Sequence, residues 1–182
     1  MKLKIEELMH AYIHSHCNFE REVILTNHFH SDWEADILII NNDGHSHEIE
    51  IKFSKSDFKN DFKKAYYNSR TGEKFLKHDK ICCGDYVCNS FSFLLPMGMI
   101  EHSAIPEHCG IIEFYHNADT WETEFFIIRE PKKVHEDSYW KLNDKDLFIR
   151  KMALGLLYRK MELKGRHEEL IFKNPFEMKK VK

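Results

Sequence analysis

The run EIEIKF, residues 48–53, alternates without a break. Ile49, Ile51 and Phe53 fall on one face of an extended chain, and Glu48, Glu50 and Lys52 on the other. Strands usually carry apolar or neutral side chains, so two carboxylates and an ammonium on one pleat face constrain whatever packs beside them. The run DILII, residues 36–40, supplies the neighbouring strand, with Asp36 near its start. The turn then decides the pairing. A two-residue Asp43-Gly44 turn sets Asp36 opposite Ile51, on the wrong face. A three-residue Asn42-Asp43-Gly44 loop, with Gly44 in the left-handed conformation, sets Asp36 opposite Glu50. Only the second loop gathers the charges, and it is the register expected here.

Two carboxylates a few ångströms apart repel unless a cation lies between them. All-oxygen ligation suits Mg²⁺ or Mn²⁺, held by one or two protein carboxylates together with a phosphate. Lys52 beside such an ion would orient a water or neutralise charge developing on phosphorus. The plainer alternative is a surface hairpin with an ordinary cross-strand ion pair.

Asp36 followed by Glu50-Ile51-Lys52 resembles the core motif of the PD-(D/E)XK nuclease superfamily. The downstream pattern Ser54-x-x-Asp57-Phe58-x-x-Asp61-x-Lys63-x-x-x-Tyr67 is similar to the helix after that core in the MmcB-like DNA-repair branch. The resemblance covers residues 1 to 120, with the specific motif confined to 36–67. Two departures stand out: Ala35 replaces the proline of the superfamily name, and a segment at 69–89 is inserted after the helix. The resemblance implies an α/β fold, a restriction-endonuclease-like core with a central mixed sheet flanked by helices. It also implies that Asp36, Glu50 and the carbonyl of Ile51 hold the metal and that Lys52 positions or activates the water. A glutamate from the first helix joins the metal in many relatives, which makes Glu6 a candidate on that ground alone.

The chain of 182 residues is long enough for one ordinary domain, with a core over 1–130 and a C-terminal helix and basic tail over 143–182. It contains no apolar run of membrane-spanning length and no signal peptide, so a cytoplasmic protein is expected. Five cysteines argue for free thiols over a disulfide framework. The net charge of −3 says little about partners, but its distribution says more. Residues 52–80 hold nine Lys/Arg against four Asp/Glu, and residues 141–182 hold twelve against six. Basic segments beside a carboxylate site suit a phosphate backbone, although two solvated helix faces would read the same way.

In chain order, Lys4–Ile13 shows helical spacing of Ile5, Leu8, Met9, Tyr12 and Ile13, and Glu22–Asn27 reads as a strand. Ser54 or Ser56 caps the helix after the hairpin, whose Phe58, Phe62, Ala65 and Tyr66 are expected to face the sheet. Residues 69–89 read as an irregular basic loop. Three further strands, 90–96, 109–116 and 124–131, complete a mixed sheet of five or six, and a long helix is expected over 143–163. Thirteen histidines raise a zinc alternative, through His14/His16/Cys17, His28/His30, His45/His47 or Cys82/Cys83/Cys88. None of these has the spacing of a known zinc module.

The resulting expectation is a Mg²⁺- or Mn²⁺-dependent phosphodiesterase acting on DNA, with RNA left open, in repair, recombination or mobile-element processing. Lys55, Lys59, Lys63, Arg70, Lys74 and Lys77 are the expected phosphate contacts. The rival from another class is a non-catalytic nucleic-acid-binding or assembly module that keeps the fold. A homo-oligomer or a partner protein that delivers the substrate is left open.

Overall fold

Gly44 adopts φ +83°, and the Gly44 N–H donates to the Asn41 carbonyl at 2.9 Å while Asn41 N–H donates to His45 O at 2.8 Å. The loop is therefore Asn42-Asp43-Gly44. Strand β2 (Trp33–Asn41) pairs antiparallel with β3 (Ser46–Ile51) through Ile37↔Ile49, Leu38↔Glu48 and Ile39↔His47. Continuing that register places Asp36 across from Glu50. The computed structural model describes residues 3–30, 33–67, 72–140 and 149.

The protein is α/β, with a six-stranded mixed sheet flanked by helices, consistent with a restriction-endonuclease-like core. β1 (Glu22–His30) extends past Asn27 and pairs antiparallel with β2. β6 (Ser90–Pro96) runs parallel to β3, and β7 (Gly110–His116) parallel to β6. β8 (Thr123–Arg129) closes the far edge antiparallel to β7. Proline ends the β6 pairing at Pro96, and Pro131 follows β8, as a residue without an amide proton would impose.

Asn27, at φ +48°, stands where β1 passes Asp36 and interrupts the alternation. Asn is among the few side chains that tolerate this left-handed backbone. In β2, Trp33 and Ala35 join the same core cluster as Leu38 and Ile40, whereas Ile37 and Ile39 join the opposite one. The pleat thus shifts by one residue at Asp36.

Helix α1 (Ile5–His16) buries Leu8, Met9, Tyr12 and Ile13 on the sheet face carrying Ile37, Ile49, Ile51 and Leu94. The opposite face is covered by α2 (Lys55–Asp61) and α3 (Lys77–Cys83), through Phe58 and Ile81 against Leu38, Phe91, Phe93 and Ile111. Burial of side chains such as Phe58 contributes roughly 1.5–3 kcal/mol each. Ser54 caps α2 by accepting from Asp57 N–H at 3.2 Å.

Two expectations need correction, and a third lies outside the described residues. α2 stops at Asp61, so Ala65 is an exposed residue of the short strand β4 (Ala65–Tyr67) and not part of a helical face, while Tyr66 packs on the core from that strand. The described part of 69–89 is ordered by β5 (Lys74–Leu76), paired with β4, and by α3, instead of forming an irregular loop. The helix expected over 143–163 and the basic tail lie, Ile149 apart, outside the described residues.

Residues 132–140 form a strap without regular structure. Val134 N–H donates to Asn89 O at 2.8 Å, and the buried Asn89 amide donates to His135 O and Asp137 O while its carbonyl accepts from Ser46 N–H. The strap crosses the hairpin so closely that a Cβ on Gly44 would lie 2.0 Å from Trp140 O.

Candidate active site

The alternation of β3 delivers Glu48, Glu50 and Lys52 to the face covered by α2 and α3, where all three are buried. Lys52 Nζ lies 2.7 Å from Glu50 Oε1 and 2.9 Å from Asp61 Oδ1, at the end of α2. Lys64 bonds the same two carboxylates, its ammonium touching Glu50 Oε1 and lying 2.8 Å from Asp61 Oδ1. Lys77 fills the inner end of the row, 2.6 Å from Glu48 Oε1 and 3.1 Å from Glu50 Oε2, with the Phe91 ring 5.0 Å away. Tyr86 donates its hydroxyl to Glu48 Oε2 at 2.6 Å, and His78 Nε2 meets Asp61 Oδ2 at 2.7 Å.

The electrostatics follow from these contacts. Burial works against the charge on Lys52 and Lys77. The surrounding Glu48, Glu50 and Asp61 outweigh it and hold both ammoniums above the usual lysine range. Burial also opposes ionisation of Asp61, but the hydrogen bond from His78 and the ammoniums of Lys77, Lys52 and Lys64 depress it well below the carboxylate range.

Asp36 is different. Its Oδ2 accepts from Ile51 N–H at 2.7 Å, yet among the described residues it makes no ion pair. Burial and the neighbouring Glu50 push its pKa up to about 6, only partly offset by the Ile51 amide, Lys52 and Lys64. A half-buried carboxylate beside a second one, lacking a contacting cation, fits a hard divalent ion. Glu50 fits it less simply. Its Oε1 already meets Lys52 and Lys64, and its Oε2 meets Lys77. Of these three, Lys64 is a third exposed while the other two are enclosed, so Lys64 is the ammonium with a route out to solvent.

Asp36, Glu50, Ile51 and Lys52 are thus brought together as the alternation and the turn imply. The described hydrogen bond of Ile51 comes from its amide, in contact with Asp36. Glu6 sits in the first turn of α1, which packs on the other sheet face from the one bearing the charge cluster. Lys55, Lys59, Lys63 and Lys74 are exposed, and Arg70 lies outside the described residues. Lys77 was expected to contact phosphate, but it is fully enclosed between two glutamates and has no surface to offer a ligand. Lys64, not Lys63, reaches the cluster; the Lys63 ammonium donates to Asn60 Oδ1 at 3.3 Å. A separate cleft, lined among others by Tyr12, His16, His47, Ser92 and Arg129, has none of these carboxylates in its lining.

His45 and His47 turn to different partners: His45 to Asp43 and the Glu136 carbonyl, His47 to Ser92 Oγ. All five cysteines are free. Among the described residues no helix is long and apolar enough to cross a membrane.

No protein-family model matches the chain, and no curated protein does. A solved structure of a protein of unknown function from Silicibacter pomeroyi is similar over 95% of this chain and 100% of its own, at 16% identity and a TM-score of 0.49.

Proposed function

We propose that this protein is a metal-dependent nuclease that hydrolyses phosphodiester bonds of DNA, with Asp36 and Glu50 holding Mg²⁺ or Mn²⁺. The observation that carries the reading is Asp36 itself. It is a carboxylate set across from Glu50 by the hairpin register, raised toward neutrality, and without an ammonium in contact. Bound there, the metal would polarise a phosphate oxygen and lower the pKa of a water. The chain's own residues supply the rest. Ile51 N–H fixes the Asp36 carboxylate, and Asp61 and Glu50 hold the buried Lys52 ammonium charged. Lys64, the one partly exposed ammonium on Glu50 Oε1, would be free to turn to solvent or a backbone phosphate if Glu50 held a metal. Exposed Lys55, Lys59 and Lys63 line the α2 side, giving salt-sensitive contacts that read little base sequence.

A second reading, a nucleic-acid-binding module without catalysis, is favoured by the saturation of Glu50 by three ammoniums. Cleavage of labelled single-stranded, double-stranded and branched DNA with Mg²⁺ or Mn²⁺ separates the two, using wild type beside Asp36→Asn and Lys52→Ala. Metal-dependent cleavage by wild type that both variants lose is the expected result. Cleavage that persists in Asp36→Asn refutes the proposed site. DNA bound but left intact by wild type favours the module.

A further inference from the structure

His78 enters α3 directly after the buried Lys77, and His108 and Cys109 precede β7. One ligand atom from each of these three residues lies within 4.8 Å of the other two. Neither histidine sits there as a satisfied core residue: His78 Nδ1 and His108 Nε2 are both buried without a hydrogen-bond partner. An unpaired imidazole nitrogen in the interior is costly, and two of them belong to the residues of this cluster. Cys109 is fully buried, and the loop carrying it is fixed by Arg129, which donates to the carbonyls of Ile105, Pro106 and Cys109. His78 is oriented from behind. Its Nε2 is committed to Asp61 Oδ2 at 2.7 Å, and its ring stacks on Phe62 with centroids 4.3 Å apart. A carboxylate that fixes a histidine by one nitrogen and leaves the other for a ligand is the usual outer support of a metal-bound imidazole.

We infer that His78, His108 and Cys109 form a zinc site that ties α3 to the loop before β7, with Asp61 as its supporting carboxylate. Two nitrogens and one sulfur select a borderline-soft ion over Mg²⁺ or Mn²⁺, and three protein ligands leave a fourth position for solvent. Uptake converts the Cys109 thiol to thiolate and releases its proton to water. The site is separate from the Asp36–Glu50 pair in its ligands and its metal, and it stands whether or not the chain is a nuclease.

The test is metal analysis of the full chain purified from zinc-supplemented medium, together with cobalt substitution. The expected result is stoichiometric zinc and, with Co²⁺, a thiolate charge-transfer absorption. Cys109→Ser abolishes that absorption, and Cys17→Ser, at the end of α1, leaves it intact. Asp61→Asn weakens zinc binding about 10–100-fold. Removal of zinc from the wild type by a chelator lowers its melting temperature, a readout that requires no variant to fold. Wild type that neither retains zinc nor takes it up from solution overturns the inference, as does zinc binding undiminished by both Cys109→Ser and His108→Gln.

Discussion

The ammonium of Lys77 lies 2.6 Å from the carboxylate of Glu48, with both side chains at 0% exposure. Breaking a buried pair by removing one partner leaves the other charge stranded, which costs more than the intact pair contributes. Lys77→Met is expected to destabilise the protein by about 3–5 kcal/mol, and adding Glu48→Gln to recover part of that loss. Urea denaturation of the single and double variants measures both. A Lys77→Met protein as stable as wild type would show that the pair is not enclosed as described.

Asp36 gives a pH signature of its own. Its pKa is about 6 in the folded chain against 3.8 unfolded, so folding favours its protonated form. The associated stability is fully present below pH 3.8 and is lost as pH rises through 6, a change of up to about 3 kcal/mol. In Asp36→Asn that falling component between pH 4 and 6 disappears, and the variant is as stable as wild type or more so at neutral pH. Melting temperature against pH for the two proteins checks the sign. An Asp36→Asn protein that parallels wild type across this window would mean that the carboxylate titrates normally.

Lys64 and Lys63 are neighbours in the chain with opposite expectations. Lys64→Ala frees Glu50 Oε1 from its exposed ammonium and is expected to tighten Mn²⁺ binding, whereas Lys63→Ala leaves it unchanged. Calorimetric titration of Mn²⁺ separates them, and weaker binding in Lys64→Ala would end the idea that this lysine competes with the ion. For DNA, each of Lys55→Ala, Lys59→Ala and Lys63→Ala should reduce the slope of log affinity against log salt by about one.

Gly44→Ala tests the turn that sets the register. The left-handed backbone alone costs an alanine roughly 1–2 kcal/mol. The added methyl also collides with Trp140 O and Ser138 Oγ at 2.0 and 2.1 Å. The expected outcome is a loss of more than about 2 kcal/mol, with faster hydrogen exchange in 132–140 as the strap lifts. A drop in stability without any change in strap protection would confine the effect to the turn.

The register was legible because turn chemistry and period-two alternation are local. Asn42-Asp43-Gly44 fixes which residues oppose, and the alternation of 48–53 fixes which face they share. Proline placement likewise bounded β6 and β8. Lys77 was not legible. A lysine in a basic stretch reads as solvated until Glu48 and Glu50, from another element, enclose it. The exposure of Ala65 is not visible locally either, because the helical spacing of Phe58 and Phe62 continues formally to it, while the chain turns after Asp61 to pair 65–67 with 74–76. Nor could spacing rules find His78 with His108 and Cys109, since the ligands come from segments that meet only when α3 docks beside β7.

β3 and β6 are parallel neighbours, so the chain leaving Ile51 must recross the domain before Ser90 can pair. That crossover carries Asp61, Lys64, Lys77 and Tyr86, all of which meet the charged residues 48–52 from outside their own strand. An acidic strand of this kind is neutralised by the chain that departs from it. The pairing of β3 with β6 and the neutralisation of the β3 carboxylates therefore depend on one and the same crossover segment.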